Sequence, residues 1–215
     1  MKTKRILLVL SLVMCGVIFS TVPVEATLIA IEIEAVVVDV RDQAGYLEGK
    51  IKPGDIITGW YTYDTSTPDS NPLSQVGDYE HRIPTCGIFL SAGRFNFETG
   101  PTDIDFLLEI VNDSISGGLH DAYGLISYNN LPLSNGTLVD EISWWLGDLS
   151  ATALSSISLP TTPPSLPDWE TNVLHLYGFK DTFHIFAEVT SAIPEPATIL
   201  LFGVGALILR LTMRK

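Results

Sequence analysis

Alternating hydrophobic and polar residues dominate the middle of the chain. In residues 29–38, aliphatic side chains alternate with Glu32 and Glu34, which is the period of two expected of a half-buried β-strand. Further segments rich in β-branched and aromatic residues are typical of strands. They are residues 56–63, 87–92, 94–97, 104–110, 123–128, 141–146, 173–179 and 183–189.

Turn-forming residues separate these segments. Clusters of Gly, Pro, Asn, Asp and Ser occupy residues 64–72, 129–132 and 134–136, and a proline-rich stretch at 159–167 predicts a long loop. Short strands with such punctuation predict an all-β fold. We expect an antiparallel β-sandwich of roughly eight to ten strands, jelly-roll-like or immunoglobulin-like.

The N-terminus has the order of a secretory signal peptide. Lys2, Lys4 and Arg5 precede an uncharged apolar run at residues 6–19, and small residues at Val24 and Ala26 fit a cleavage site after Ala26. The run is short for a permanent membrane span of about 20 residues. We therefore predict that residues 1–26 are removed on export.

The C-terminus has a second apolar run, at residues 197–209, followed by a basic end at 210–215. A helix of that length covers about 20 Å, less than the bilayer's hydrocarbon core of about 30 Å. We predict a transmembrane helix that serves as a temporary stop, with the basic end in the cytoplasm and the preceding domain outside. Just before it, Pro194 and Pro196 flank Glu195, and prolines keep a segment extended and accessible.

This order resembles the PEP-CTERM sorting signal of exopolysaccharide-producing Gram-negative bacteria. The motif is Pro194, Glu195 and Pro196, and the helix and basic end follow it. The resemblance implies recognition by an exosortase, a membrane protease that removes the tail and directs the protein to the cell surface or extracellular matrix. The predicted domains are a signal peptide at 1–26, an exported β-sandwich domain at 27–191 and a sorting signal at 192–215.

The exported domain also resembles one that recurs among PEP-CTERM proteins. Residues 54–70 carry the likeness, as do residues 153–164 before the closing strand. No activity is attached to that domain. The pair Trp144 and Trp145 is not a feature expected from it.

Removing both ends leaves a strongly acidic domain. Six basic and 23 acidic residues lie between residues 27 and 193, a net charge of about −17. This charge excludes nucleic acid as a partner, because phosphate binding needs Lys and Arg. Cys86 is the only cysteine left after signal removal, so no internal disulfide can form, and we expect a buried thiol.

No sequence motif predicts catalysis. The chain has no Gly-x-Ser-x-Gly elbow, His-Glu-x-x-His motif or phosphate loop. Its histidines are scattered singly along the sequence, and we expect ordinary surface or strand positions for them. They are His81, His120, His175 and His184.

Two features predict binding instead. Asp103 and Asp105 would share one face of a strand and could offer oxygen ligands to Ca²⁺, although ordinary turn acids give the same pattern. Trp144 and Trp145 would point to opposite faces of a strand, one into the core and one toward solvent. The exposed ring could stack on a sugar, or it could simply pack on the sheet.

The leading hypothesis is an exported, surface-sorted, non-enzymatic protein that is processed by an exosortase and associated with exopolysaccharide or a biofilm matrix. The alternative is a secreted lectin-like module that binds Ca²⁺ or carbohydrate. A polysaccharide hydrolase is a third hypothesis, which rests only on the number of carboxylates. Apart from this Ca²⁺, no cofactor is expected.

Overall fold

The computed structural model describes residues 27–114 and 120–195. These two ranges form antiparallel β-strands joined by loops. The prediction of an all-β fold is confirmed. The strands are β1 (Leu28–Arg41), β2 (Ile56–Asp64), β3 (Val76–His81), β4 (Gly87–Ala92), β5 (Phe95–Glu98), β6 (Phe106–Val111), β7 (Asp121–Ser127), β8 (Val139–Asp148), β9 (Thr171–Gly178) and β10 (His184–Pro194). Short 3₁₀ turns occur at Leu166–Asp168 and Phe179–Asp181. The predicted signal peptide and C-terminal helix lie outside the described residues.

All ten strands belong to one hydrogen-bonded sheet. Its order is β3-β6-β7-β8-β9-β10-β1-β2-β4-β5, so the first and last strands of the domain are neighbours near the middle. The sequence predicted a sandwich of jelly-roll or immunoglobulin type, in which two separate sheets pack face to face. One continuous sheet is found instead, and it curls so that its two halves enclose a common core.

Irregular pairing between β1 and β10 favours this curl. The register shifts once between Glu34 and Ala35 and again between Val37 and Asp39. Each shift leaves one residue without an opposite partner, and such bulges bend a strand and increase its local twist. Val38, at the second shift, is 60% exposed. The bends lie near the centre of the sheet, where they separate the two halves.

Large aromatic side chains fill the space between the halves. Trp144 of β8 packs edge-on against Tyr61 of β2 and Tyr123 of β7, with ring centroids 6.1 and 5.9 Å apart. The hydroxyls of Tyr61 and Tyr123 form a 2.9 Å hydrogen bond inside this core. Contacts between β2 and β7 show that strands far apart in the sheet order meet across the core.

The long loop between β8 and β9 covers one part of the core. Tyr63 donates its hydroxyl hydrogen bond to the carbonyl oxygen of Pro160 at 2.7 Å, and Tyr79 donates to the carbonyl oxygen of Ile157 at 2.7 Å. These bonds satisfy two largely buried phenols. The proline-rich segment is therefore a loop of the same domain, as predicted.

Cys86 lies immediately before β4 and is 3% exposed. Burial raises the pKa of its thiol to about 11. Because the thiolate is the reactive form, a raised pKa keeps this cysteine unreactive. The expectation of a buried thiol is confirmed.

Candidate functional site

The sorting segment begins within the last strand of the sheet. Strand β10 runs to Pro194, which lies opposite Ile31 of β1. The backbone N–H of Glu195 then donates a 2.9 Å hydrogen bond to the carbonyl oxygen of Ala30. Proline is tolerated at a strand end because no ladder donor is needed there. The first two motif residues thus lie extended along the edge of β1, with Pro194 exposed and Glu195 partly buried; Pro196 lies outside the described residues.

Glu195 sits in a shallow depression on the outer face of the sheet. Its neighbours there include Glu32, Trp60 and Phe89. Burial raises the pKa of the Glu195 carboxyl, and the nearby Glu32 carboxylate raises it further. The glutamate of the motif is therefore partly desolvated and faces a like charge.

An exposed aromatic pair lies beside Glu195. Trp60 of β2 and Phe89 of β4 are direct cross-strand neighbours, and their rings stack with centroids 4.5 Å apart. Trp60 is also opposite Glu32 of β1, and it is 41% exposed. Cross-strand aromatic pairs stabilise a sheet by packing. The pair gives the surface next to the motif a fixed apolar shape.

The prediction that Asp103 and Asp105 lie on a strand is wrong. Both precede β6, and Asp103 has a left-handed backbone with φ of 52°. The Asp105 carboxylate pairs with the Arg82 guanidinium at 2.6 Å, and the Asp103 carbonyl oxygen accepts a bond from the Asn129 amide at 2.6 Å. Asp105 is thus engaged by a cation of the protein itself, and the two aspartates do not share a strand face.

Trp144 and Trp145 do point to opposite faces of β8. Trp144 is fully buried, and its indole N–H donates to the side-chain oxygen of Asn172 at 2.9 Å. Trp145 lies half-buried on the outer face, over Gly124 of β7. A Cβ at Gly124 would meet the indole Cε3 at 2.6 Å, so the glycine makes room for the ring. Only Trp145 of this pair presents ring surface to the outside.

A carboxyl pair lies next to Trp145 on the same face. Glu109 of β6 is opposite Gly124 on one side and Asp78 of β3 on the other. Burial raises the pKa of Glu109, and the Asp78 carboxylate adds to the rise. Asp78 Oδ1 is buried and has no donor among the described side chains and backbone.

A histidine pair that the sequence did not predict lies on the outer face of β9 and β10. His175 of β9 and His184 of β10 lie on the outer face, with His175 Nδ1 and His184 Nε2 3.2 Å apart. The Tyr177 hydroxyl is 3.1 Å from His175 Nδ1. Both histidines lie on strands as expected, but the sequence did not predict that they contact each other. Two features of the sequence could have indicated the pair. Strands β9 and β10 are joined by a short connection and form a hairpin, and alternation places His175 and Tyr177 on one face.

Burial keeps this pair uncharged at neutral pH. It lowers the pKa of His175, and it lowers that of His184 to about 4, with His175 and Arg41 contributing to the second shift. The Phe186 ring packs against His184, with centroids 3.6 Å apart. Neutral imidazoles retain a nitrogen lone pair that can accept a proton or bind a metal.

Within the described ranges, the structure contains neither a three-residue metal cluster nor a helix long and apolar enough to span a membrane. Residues 27–114 and 120–195 hold no group of three or more His, Cys, Asp or Glu side chains arranged for a metal ion. They also hold no helix long and apolar enough to cross a bilayer. The predicted helix at 197–209 falls beyond these ranges.

Comparison with known proteins gives a specific result for the end of the chain. Neither the curated proteins nor the solved structures include a significant match. Among protein families, the PEP-CTERM protein-sorting motif matches residues 192–215, which contain Pro194, Glu195 and Pro196. The chain therefore carries a PEP-CTERM sorting motif that starts on its last β-strand, and this motif implies an exported protein that is membrane-anchored before an exosortase processes it.

Proposed function

We propose that this protein is a non-enzymatic component of the cell surface or extracellular matrix, associated with exopolysaccharide or biofilm. The observation that carries the proposal is the sorting motif at the end of β10. An exosortase would remove the tail and release the acidic β-domain from the inner membrane.

The domain's surface chemistry supports a scaffold or matrix role. Its net charge of about −17 favours cations, neutral sugars or basic proteins as partners over nucleic acid. Asp78 and Glu109 are direct cross-strand neighbours, and the Asp78 carboxylate helps to raise the pKa of Glu109.

Processing is tested by following the C-terminus of the exported protein. We expect mass spectrometry to find mature protein without Arg214 and Lys215 in cells that contain an exosortase, and uncleaved precursor in cells that lack it. The variant Glu195→Ala should accumulate as precursor in the inner membrane. Glu188→Ala is a matched control, because Glu188 is an exposed glutamate of the same strand, and it should be processed normally. Full retention of the basic end in wild-type protein would make the tail a permanent anchor and overturn the proposal.

Matrix association needs its own test. Purified matrix from wild-type cells should contain the β-domain, whereas matrix from cells lacking the exosortase should not. Equal amounts in both would refute sorting to the matrix.

A second candidate function is carbohydrate binding at Trp145. The half-exposed indole lies over Gly124, with the Glu109 carboxyl opposite that glycine on the next strand, so a ring face and a hydrogen-bonding group lie close together. Calorimetric titration with the host's exopolysaccharide tests this function, with Trp145→Ala as the variant and Trp60→Ala as the control. Loss of binding in the Trp145 variant alone supports it, and no heat with wild-type protein excludes it. The Ca²⁺ alternative is tested in the same titration by adding CaCl₂.

A further inference from the structure

On the outer face of β9 and β10, an imidazole nitrogen and a phenol oxygen both lie close to His175 Nδ1. The nitrogens His175 Nδ1 and His184 Nε2 are 3.2 Å apart, and the Tyr177 oxygen is 3.1 Å from the first of them. The rings are held in place by stacking. The ring of Tyr177 lies nearly parallel to that of His175, at 5°, and its centroid is 3.7 Å from that of His184. Three donor atoms are therefore fixed before any ligand arrives.

The separation of the two nitrogens matches that of ligands on one metal ion. Zinc binds imidazole nitrogen at about 2.0–2.1 Å, and two such bonds in tetrahedral geometry place the nitrogens about 3.3–3.4 Å apart. A hydrogen bond between the rings also fits 3.2 Å, so a metal ion would replace the proton shared by the two nitrogens.

Charges around the pair act in both directions. Glu141 on β8 is opposite Tyr177 and acts on His175 through its charge, and Asp39 and Asp181 lie near His184. Arg41 opposes them, but its guanidinium is engaged with the Asp39 carboxylate at 3.1 Å and lies over the Phe186 ring, 4.9 Å from its centroid. Three acids and one cation therefore surround the pair, and at His184 the effect of Arg41 is larger than that of either aspartate alone.

His184 is also open to solvent on one side. A surface cavity borders His184 and is lined by Gln43, Tyr46 and Thr182 among others. Water can enter from this side and complete the coordination of an ion that two protein nitrogens hold.

We propose that His175 and His184 form a binding site for a divalent transition-metal ion of the Zn²⁺ or Cu²⁺ type. The two ring nitrogens are the protein ligands, and the Tyr177 hydroxyl and water complete the site. Imidazole selects Zn²⁺, Cu²⁺ or Ni²⁺ over Ca²⁺ and Mg²⁺, which prefer oxygen. The site is independent of the sorting motif and of the proposed function.

The test is calorimetric titration of the tag-free full chain in detergent. We expect one Zn²⁺ or Cu²⁺ per chain and no heat with Mg²⁺. His175→Ala and His184→Ala should each weaken binding by about tenfold or more. His120→Ala is the matched control, because His120 is another partly exposed histidine away from the pair, and it should bind as wild type does. Binding that survives both pair variants, or is lost in the control, would overturn the proposal.

A measurement on the unaltered protein covers the case in which a variant fails to fold. The electron paramagnetic resonance spectrum of the Cu²⁺-loaded chain should show hyperfine coupling to two imidazole nitrogens. A spectrum with only oxygen ligands or a single nitrogen would refute the two-histidine site. Thermal unfolding of each variant without metal separates loss of the site from loss of the fold.

Discussion

The two tyrosine hydroxyls in the core make a sharp prediction about stability. Tyr61 and Tyr123 are 0% and 1% exposed, and the 2.9 Å bond between their oxygens is the only one either hydroxyl makes among the described residues. Burial raises the pKa of both phenols, so both are neutral over the ordinary pH range. Each hydroxyl therefore depends on the other for its hydrogen bond.

Replacing one tyrosine with phenylalanine leaves the other hydroxyl buried and unsatisfied. Such a group costs about 1–3 kcal/mol, whereas removing both partners is nearly neutral. Tyr61→Phe and Tyr123→Phe should each lower the free energy of unfolding by about 2 kcal/mol. The double variant should fall within about 1 kcal/mol of wild type, so it should be more stable than either single variant.

Urea denaturation measures these differences directly. With a slope of about 2 kcal/mol per M, each single variant should unfold at a urea concentration about 1 M lower than wild type. Tyr46→Phe is the control, because Tyr46 is 41% exposed, and it should shift the midpoint very little. If the double variant instead loses the sum of the two single losses, the hydroxyls do not form an isolated pair and the reasoning fails.

Three other substitutions test separate parts of the structure. Gly59→Ala should lower the free energy of unfolding by about 3 kcal/mol, measured by urea denaturation. The added Cβ would clash with the backbone of β4, because it would lie 2.8 Å from Leu90 Cα. A decrease of less than about 1 kcal/mol would contradict this prediction. Asp148→Asn should lower the melting temperature at pH 7, because the carboxylate accepts hydrogen bonds from Ser150, Thr152 and Ala153 that hold its pKa well below its ordinary value. The stability that the carboxylate adds is lost as the pH falls toward 2. A difference in melting temperature between variant and wild type that is as large at pH 2 as at pH 7 would refute this explanation. The pKa of His184 is lowered to about 4, so between about pH 6.5 and 4 the unfolded chain binds more protons than the folded chain. The stability of the fold therefore decreases as the pH drops through that window. His184→Asn should reduce the dependence of the melting temperature on pH there, and an unchanged dependence would assign it to other groups.

Local patterns predict most of the strands but not all of them. The alternation in residues 29–38 lies within β1, which extends to Leu28–Arg41. Strand β3, Val76–His81, was missed because its inward residues are Gly77, Tyr79 and His81. This set contains no aliphatic residue, so hydrophobic alternation is invisible there. The strand is recognisable only through its pairing with β6.

The pairing of strands distant in sequence explains why the structure has one continuous sheet and not the predicted two-sheet sandwich. Whether two halves are separate sheets or one depends on whether β10 bonds to β1, which are more than 140 residues apart. Alternation sets which face a residue occupies, but it does not choose the partner strand. The same limit applies to His175 and His184. Their contact depends on the register of the β9–β10 hairpin, which the composition of its turn did not reveal.

The pairing of β10 with β1 also determines when in export the sheet can be completed. For a chain exported from its N-terminal end, the strand that fills the middle of the sheet is the last to cross the membrane. Until it arrives, β1 and β9 have open edges, and the two halves of the sheet cannot join. Contacts so distant in sequence form slowly. The apolar run at residues 197–209 begins three residues after Pro194. A tail anchored there, as the sorting motif implies, would leave β10 outside with time to pair, so the sorting segment would also delay release of the protein until the sheet is complete.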